Sequence, residues 1–131
     1  MIARRTFLAG LAAALASGAG SWLPACARED PLERALRGFF PDREAAAEVG
    51  AQMLAQNPDA GAPGVLVERV ARGRGDRLRE LARTDPAGLA ELLREQHRAD
   101  FAEDRVVLVR GWVLSQTEAA LFALAALPDR G

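Results

Sequence analysis

A catalytic function for this chain would have to use His97, the only histidine among its 131 residues. Asp100 follows about one helical turn later and Ser115 supplies a hydroxyl, so the three side chains together would suit acyl transfer. No glycine elbow surrounds Ser115, however, and its spacing from Glu118 is that of a helix cap. A small hydrolase that uses His97 is therefore the last of three functional hypotheses.

The residues that commonly bind metals and cofactors are scarce in this sequence. Apart from His97 and the single cysteine, Cys26, only carboxylates remain as metal ligands, and Glu91 with Glu95 has the spacing of a solvated helix face. The Gly-Arg-Gly segment at 73–75 lacks the strand and the Lys-Ser/Thr pair of a phosphate-binding loop, and no G-x-G-x-x-G motif is present. We predict no catalytic, metal-binding or cofactor-binding residue.

The charge distribution argues against nucleic acid as a partner. Two of the 17 arginines precede residue 28, whereas all 18 acidic residues follow it, so residues 28–131 carry a net charge of -3. Such a domain does not attract a phosphate backbone as a whole. A local run of arginines fits either an exposed helix with internal ion pairs or a surface for anionic lipid or an acidic partner; it comprises Arg69, Arg72, Arg74, Arg77, Arg79 and Arg83.

Residues 1–27 have the pattern of an export leader of the twin-arginine type. Arg4 and Arg5 are followed after one residue by Phe7 and Leu8, which resembles the twin-arginine consensus, although Ala3 replaces the usual serine or threonine. The apolar run that follows is shorter than the roughly 20 residues that cross a bilayer. We expect a transient contact with the twin-arginine translocase, removal of the leader and a periplasmic location.

Two processing routes compete at the end of this leader. Ala25 and Ala27 flank Cys26 as in an A-x-A cleavage site, which would release a soluble protein. Leu23-Pro24-Ala25-Cys26 also resembles a lipobox, whose acylation at Cys26 would anchor the protein through acyl chains. The protein contacts a membrane only in the second case, and Pro24 favours the first because proline is unusual at that lipobox position.

Residues 28–131 are predicted to form one all-α domain, a small bundle of about five helices with one short β-like arm or hairpin. The helix starts are marked by prolines that suit a first turn and by aspartates that cap one, at Pro31, Asp42, Pro63 and Asp85-Pro86. Pro41 is predicted to end the first helix and Asn57-Pro58 the second. Gly73 and Gly75 interrupt the helix that begins at Pro63.

The longest predicted helix carries apolar or aromatic residues at every fourth position. They are Leu89, Leu93, His97 and Phe101, with Leu92 beside them. We therefore expect His97 to lie on the inward side of this helix, where a core or boundary position is its commonest use.

The last part of the chain combines a β-like segment with an apolar helix. Residues 105–114 are rich in β-branched side chains around Gly111 and fit a tight hairpin or an extended arm. Ser115 and Glu118 then form a capping box. The helix that it opens is apolar nearly all round, so we expect either the central helix of the bundle or a docking surface.

Three residues in this part are the candidate partner interface. Trp112, beside Gly111, supplies a large and rigid anchor of the kind that dominates interface energetics, although a core position is the commoner use of tryptophan. Leu121 and Phe122 belong to the apolar last helix.

Several features together resemble the small subunits of periplasmic flavin-dependent dehydrogenases, of the gluconate 2-dehydrogenase subunit 3 type. They are the twin-arginine leader, Phe39-Phe40-Pro41, Pro63-Gly64 and the absence of a cofactor motif. The resemblance implies an accessory subunit without catalysis of its own, which escorts a leaderless flavin-containing large subunit through a route that moves folded proteins. The second hypothesis is a free-standing periplasmic protein or lipoprotein that binds another envelope component.

Overall fold

The computed structural model describes residues 29–128, of which Asp30–Pro128 form one compact unit. Six α-helices and an antiparallel hairpin make up this unit, which confirms the predicted all-α class with a short β element. The helices are α1 (Pro31–Arg37), α2 (Arg43–Gln56), α3 (Pro63–Ala71), α4 (Gly75–Thr84), α5 (Pro86–Ala102) and α6 (Gln116–Ala126); the strands are β1 (Val106–Val109) and β2 (Trp112–Ser115), and Pro58–Ala60 form a 3-10 turn. None of the helices in residues 29–128 is long and apolar enough to cross a membrane.

Side-chain caps explain where several of the helices begin. Three aspartates each accept a first-turn backbone N–H at 3.0 Å: Asp30 from Leu32, Asp42 from Ala45, and Asp85 from Gly88. Ser115 and Glu118 form the predicted capping box at the start of α6, with each side chain bonded to the backbone of the other residue. These bonds satisfy amides that have no partner within the helix.

The first helix ends earlier than Pro41, where the sequence predicted its end. It stops at Arg37, and Gly38 follows as the C-cap residue. Glycine is a poor helix former, and the next amide, that of Phe39, bonds to the Leu36 carbonyl at 3.2 Å, which tightens the last turn. The chain then turns, so that Phe39 and Phe40 pack against the core from outside the helix.

The last helix, α6, was expected to be either the central helix of the bundle or a docking surface, and it is the central helix. It packs against α1, α2, α3 and α5, and four of its fully or nearly fully buried residues are Ala119, Leu121, Ala123 and Leu124. At Gly50 of α2, a Cβ would overlap the backbone carbonyl of Phe122. This close crossing of α2 and α6 therefore requires glycine.

The inward side of α5 differs from the predicted stripe. It consists of Leu89, Leu93, Gln96 and Asp100. His97 is half-buried, at the boundary position that was one of the two expected for it, whereas Phe101 is 43% exposed, so the inward position expected for Phe101 is wrong. Each step of four residues turns about 40° past a full circle, so repeated steps of four wind away from the core, whereas mixing steps of four and three stays on it.

The β-like segment is a tight hairpin rather than an extended arm. Its strands pair in the register Val106↔Ser115, Val107↔Leu114, Leu108↔Val113 and Val109↔Trp112. Arg110 and Gly111 form the loop with φ angles of 48° and 84°, the positive pair of a type I′ turn, whose twist matches that of the strands. Directly paired residues share a face, so Leu108 and Val113, which are 62% and 55% exposed, form an outer face.

Candidate functional site

The structure brings His97 and Ser115 together but places Asp100 elsewhere. His97 Nδ1 lies 2.8 Å from Ser115 Oγ and 3.7 Å from Glu118 Oε2. The Asp100 carboxylate instead binds Thr117 on the inward side of α5. Of the three residues expected to act together, only His97 and Ser115 are in contact, and the carboxylate beside them is that of Glu118.

The hydrogen bonds of Ser115 assign the tautomer of His97. Ser115 is fully buried, and its hydroxyl oxygen already accepts the Glu118 N–H at 3.0 Å. The hydroxyl proton needs an acceptor as well, because a buried unpaired donor is costly, and His97 Nδ1 lies within reach. Nδ1 therefore accepts, and the neutral ring carries its proton on Nε2.

This geometry does not suit nucleophilic catalysis. In a serine triad, the histidine takes the hydroxyl proton on one ring nitrogen and donates to the carboxylate from the other. Here Ser115 and Glu118 both lie beside Nδ1. Because Ser115 is also fully buried, a substrate has no access to its oxygen. The arrangement caps α6 and ties α5 to β2.

A second polar cluster, which the sequence analysis missed, surrounds the fully buried Asp100. Its Oδ2 accepts the N–H of Thr117 at 2.9 Å and the hydroxyl of the same residue at 2.6 Å. Its Oδ1 lies 2.8 Å from Nη2 of Arg72 and 3.0 Å from Nε of Arg105. We call these four residues the Asp100 hub. The hub joins α5 to the start of α6, to the turn after α3 and to the entry of the hairpin.

Gln96 extends the Asp100 hub along α5. Its Nε2 donates to the Val70 carbonyl and to the Thr117 hydroxyl, both at 2.9 Å, and its Oε1 accepts from Arg74. The Thr117 hydroxyl thus accepts from Gln96 and donates to Asp100. Gln96 and Asp100 lie three and seven residues after Leu93, a spacing that places them on the buried side of α5. Because both residues are polar, an apolar pattern did not reveal this position.

The Asp100 carboxyl is held in its charged form. Burial acts to raise its pKa, but the hydrogen bonds from Thr117, Arg72 and Arg105 together outweigh burial and keep the pKa below its ordinary value. A general acid or base at neutral pH needs a pKa shifted towards 7 instead. The Asp100 hub is therefore a structural ion-pair network.

Four of the six arginines in the run have polar partners within residues 29–128, two at the Asp100 hub and the adjoining Gln96 and two on α4. Arg72 and Arg74 turn inward to Asp100 and Gln96, respectively. On α4, Arg79 pairs with Asp30 at 2.9 Å, and Arg83 pairs within the helix. These contacts support the ion-paired helix over a single basic face.

The three candidate interface residues have different environments. Trp112 is 73% exposed on β2, next to the turn. Phe122 is half-buried and stacks on Phe40, with ring centroids 4.3 Å apart. Leu121 is 2% exposed and belongs to the core, which removes it from any surface that a partner can reach.

A groove of about 420 Å³ lies beside Trp112. It is lined by Val49 and Gln52 of α2, by Val109, Trp112 and Leu114 of the hairpin, and by Glu118 and Phe122 of α6. We call it the Trp112 groove. Its walls are mostly apolar and carry one carboxylate, so it suits an apolar partner side chain next to a hydrogen-bond donor. No local sequence pattern indicates that Val49 and Gln52 line this groove, since their position depends on how α2 crosses α6.

The remaining predicted site residues lie outside the described residues; they are Arg4, Arg5, Phe7, Leu8, Ala25, Cys26 and Ala27. Within residues 29–128, no three side chains of His, Cys, Asp or Glu are grouped so as to hold a metal ion. Comparison of the chain with protein-family models, with curated proteins and with solved structures gave no match.

Proposed function

We propose that this chain is an exported accessory subunit that binds a partner protein at the Trp112 groove and has no catalysis of its own. The exposure of Trp112 is the observation that carries the proposal. Burying a large apolar side chain at an interface releases its hydration, and tryptophan is enriched among the residues that dominate binding free energy.

The hairpin supports Trp112 in a way that suits an anchor. Val109, its cross-strand partner, is 2% exposed and packs in the core, and the type I′ turn fixes the backbone on either side. An anchor on a fixed backbone loses less conformational entropy when it binds than one on a mobile loop.

The partner that we propose is the large subunit of a periplasmic flavin-dependent dehydrogenase that lacks a leader of its own. The leader pattern at Arg4-Arg5 and Phe7-Leu8 supports this choice. A route for folded proteins is most needed where a cofactor is loaded in the cytoplasm, whereas a small helical domain gains little from it. The mature chain would then lie in the periplasm, anchored to a membrane only if Cys26 is acylated.

Purification from the native host tests this proposal. With a tag after Gly131 and gentle extraction of the periplasm, we expect a second chain at a fixed molar ratio, together with a flavin absorption spectrum. Mass spectrometry identifies that chain and shows whether Cys26 is acylated. A colourless chain that purifies alone contradicts the escort function and favours the free-standing protein or lipoprotein.

A matched pair of variants then locates the contact. Trp112→Ala should weaken partner binding roughly thirtyfold, since hot-spot truncations cost about 2 kcal/mol or more. Leu108→Ala removes a side chain of similar exposure, 62%, from the outer face of the hairpin and should leave binding within about twofold, as neutral interface positions do. Equal losses in the two variants contradict docking at the Trp112 groove.

A further inference from the structure

The two edges of the hairpin differ in their backbone hydrogen bonding. Because the turn at Arg110-Gly111 closes directly on Val109 and Trp112, those two residues form the first hydrogen-bonded pair, and such pairs alternate along the ladder. Leu108 and Val113 are the next pair, so their N–H and C=O groups point outward, away from each other.

Two hydrogen bonds at the base of the hairpin confirm this alternation. The Gln116 N–H donates inward to the Arg105 carbonyl at 3.1 Å, as the third pair of the ladder requires. The Ser115 N–H belongs to an outward-pointing pair and donates to Glu118 Oε1 at 2.9 Å instead.

The outward backbone N–H and C=O groups of β1 and β2 differ in their hydrogen-bond partners. On β1, the Leu108 carbonyl accepts from Gln56 Nε2 at 3.0 Å, so a side chain of α2 occupies the outward acceptor of this edge. On β2, no residue of the described chain bonds to the outward N–H and C=O of Val113, whose side chain is 55% exposed. An accessible strand edge with an unpaired donor and acceptor is a template for another strand.

We propose that the β2 edge at Val113 binds an extended segment of the partner protein as a third strand. This inference rests on the proposed function and specifies which part of the partner is recognised. Val113 exchanges both of its outward backbone hydrogen bonds with one partner residue, as in an antiparallel pair. Because Trp112 adjoins Val113 in β2, the added strand lies beside the indole, and the Trp112 groove and the strand edge form one continuous contact.

The charge of the hairpin defines the chemistry of that segment. Arg110, exposed in the turn, is the one formally charged residue between Val106 and Thr117. The side chain at the edge itself, that of Val113, is apolar and exposed. The occupant is therefore an extended apolar segment with a carboxylate placed near Arg110.

Two proline variants of the full chain test the added strand. Val113→Pro removes the outward N–H of β2, and the proline ring blocks the approach of a strand. Leu108→Pro makes the same change at the paired position on β1, where the N–H also points outward and the inner ladder is retained. With the flavoprotein that purifies with the wild-type chain as the probe, we expect Val113→Pro to weaken binding by at least about tenfold and Leu108→Pro by less than about twofold.

The outcomes separate this inference from the proposed function. If Trp112→Ala loses the partner while Val113→Pro and Leu108→Pro both retain it, the added strand is overturned and docking at the groove stands. If the wild-type chain purifies alone, the proposed function fails and the added strand fails with it.

If either proline variant does not fold, amide exchange in the wild-type complex tests the added strand instead. The Val113 N–H should exchange at least about tenfold more slowly in the complex than in the free chain, and the Leu108 N–H should exchange at the same rate in both. Equal rates at Val113 overturn the added strand.

Discussion

The hairpin is held in opposite ways at its two ends. At the base, Arg105 binds Asp100 twice, through its N–H to the backbone carbonyl at 2.7 Å and through Nε to the carboxylate at 3.0 Å. At the tip, Trp112 leaves 73% of its surface in water. Because the buried Asp100 carboxylate is bonded through both of its oxygens, the base is sensitive to the loss of any one partner. The exposed Trp112 side chain at the tip, by contrast, contributes little to folding. The stability of the domain therefore depends on the base, and the tip is free to bind.

Removal of the Asp100 carboxylate should have the largest effect on stability. Asp100→Ala leaves Arg72, Arg105 and the Thr117 N–H without their acceptor, and breaking a buried ion pair costs about 3–5 kcal/mol. The two arginine side chains are 28% and 35% exposed and regain some water, so we expect about 3 kcal/mol, the lower part of that range. Urea unfolding monitored by circular dichroism measures this loss. A loss below about 1 kcal/mol, the ordinary effect of a point mutation, contradicts the role given to the hub.

The pH dependence of unfolding provides the next test of the base. The folded pKa of Asp100 lies below its unfolded value, so its contribution to stability is present above the unfolded pKa, near 3.9, and is lost as pH falls through the folded pKa. The asparagine side chain in the Asp100→Asn variant carries no charge at any pH. The wild-type chain should therefore be more stable than this variant by a constant amount above about pH 5, and the difference should shrink below about pH 4.

Asp30 requires a separate control in that experiment. Burial raises the pKa of its carboxyl, but bonds from Arg79 and from the Leu32 amide outweigh burial, so its pKa is lowered as well. It contributes its own loss of stability in acid, which is the same in the wild type and in Asp100→Asn. A difference between those two proteins that stays constant down to pH 2.5 contradicts the assignment to Asp100.

The elements with local signals were predictable from sequence, and the contacts between them were not. Pro31, Asp85-Pro86 and the Ser115–Glu118 capping box each act within one turn, so they mark helix starts whatever surrounds them. The Asp100 hub instead joins residues 72, 100, 105 and 117, which become neighbours only when α3, α5 and α6 have packed.

The exposure of Trp112 shows the same limit at the candidate site. In β2 it alternates with Val113, and it shares its face of the hairpin with Val109 and Leu114, which are buried. Sequence pattern therefore assigns Trp112 to an inward face. Its side chain nevertheless lies at the end of that face, next to the turn, where α2 and α6 do not cover it. Coverage depends on helix lengths and crossings, which a two-residue period does not encode.

Loss of the α6 cap should have an intermediate effect. Ser115→Ala leaves the Glu118 amide without its acceptor and removes the partner of His97 Nδ1, and loss of such a cap costs about 0.5–2 kcal/mol. His97→Ala should cost less, because the histidine side chain is 38% exposed. Thermal unfolding of both variants gives the order. An ester-hydrolysing activity of the isolated protein that His97→Ala abolishes would instead restore the hydrolase hypothesis.

The smallest effect on stability is expected at the tip, and it tests the contrast between the two ends most directly. Trp112→Ala should change the free energy of unfolding by no more than about 0.5 kcal/mol, as surface substitutions do. Val109→Ala, at the directly paired position, deletes two buried carbons and should cost roughly 1.6 kcal/mol, at about 0.8 kcal/mol for each. If Trp112→Ala destabilises the domain as much as Val109→Ala, the indole is part of the core. If instead the alanine at 109 destabilises the fold and the alanine at 112 does not, Val109 holds the hairpin in the core and Trp112, which faces it across the hairpin, remains available to the partner.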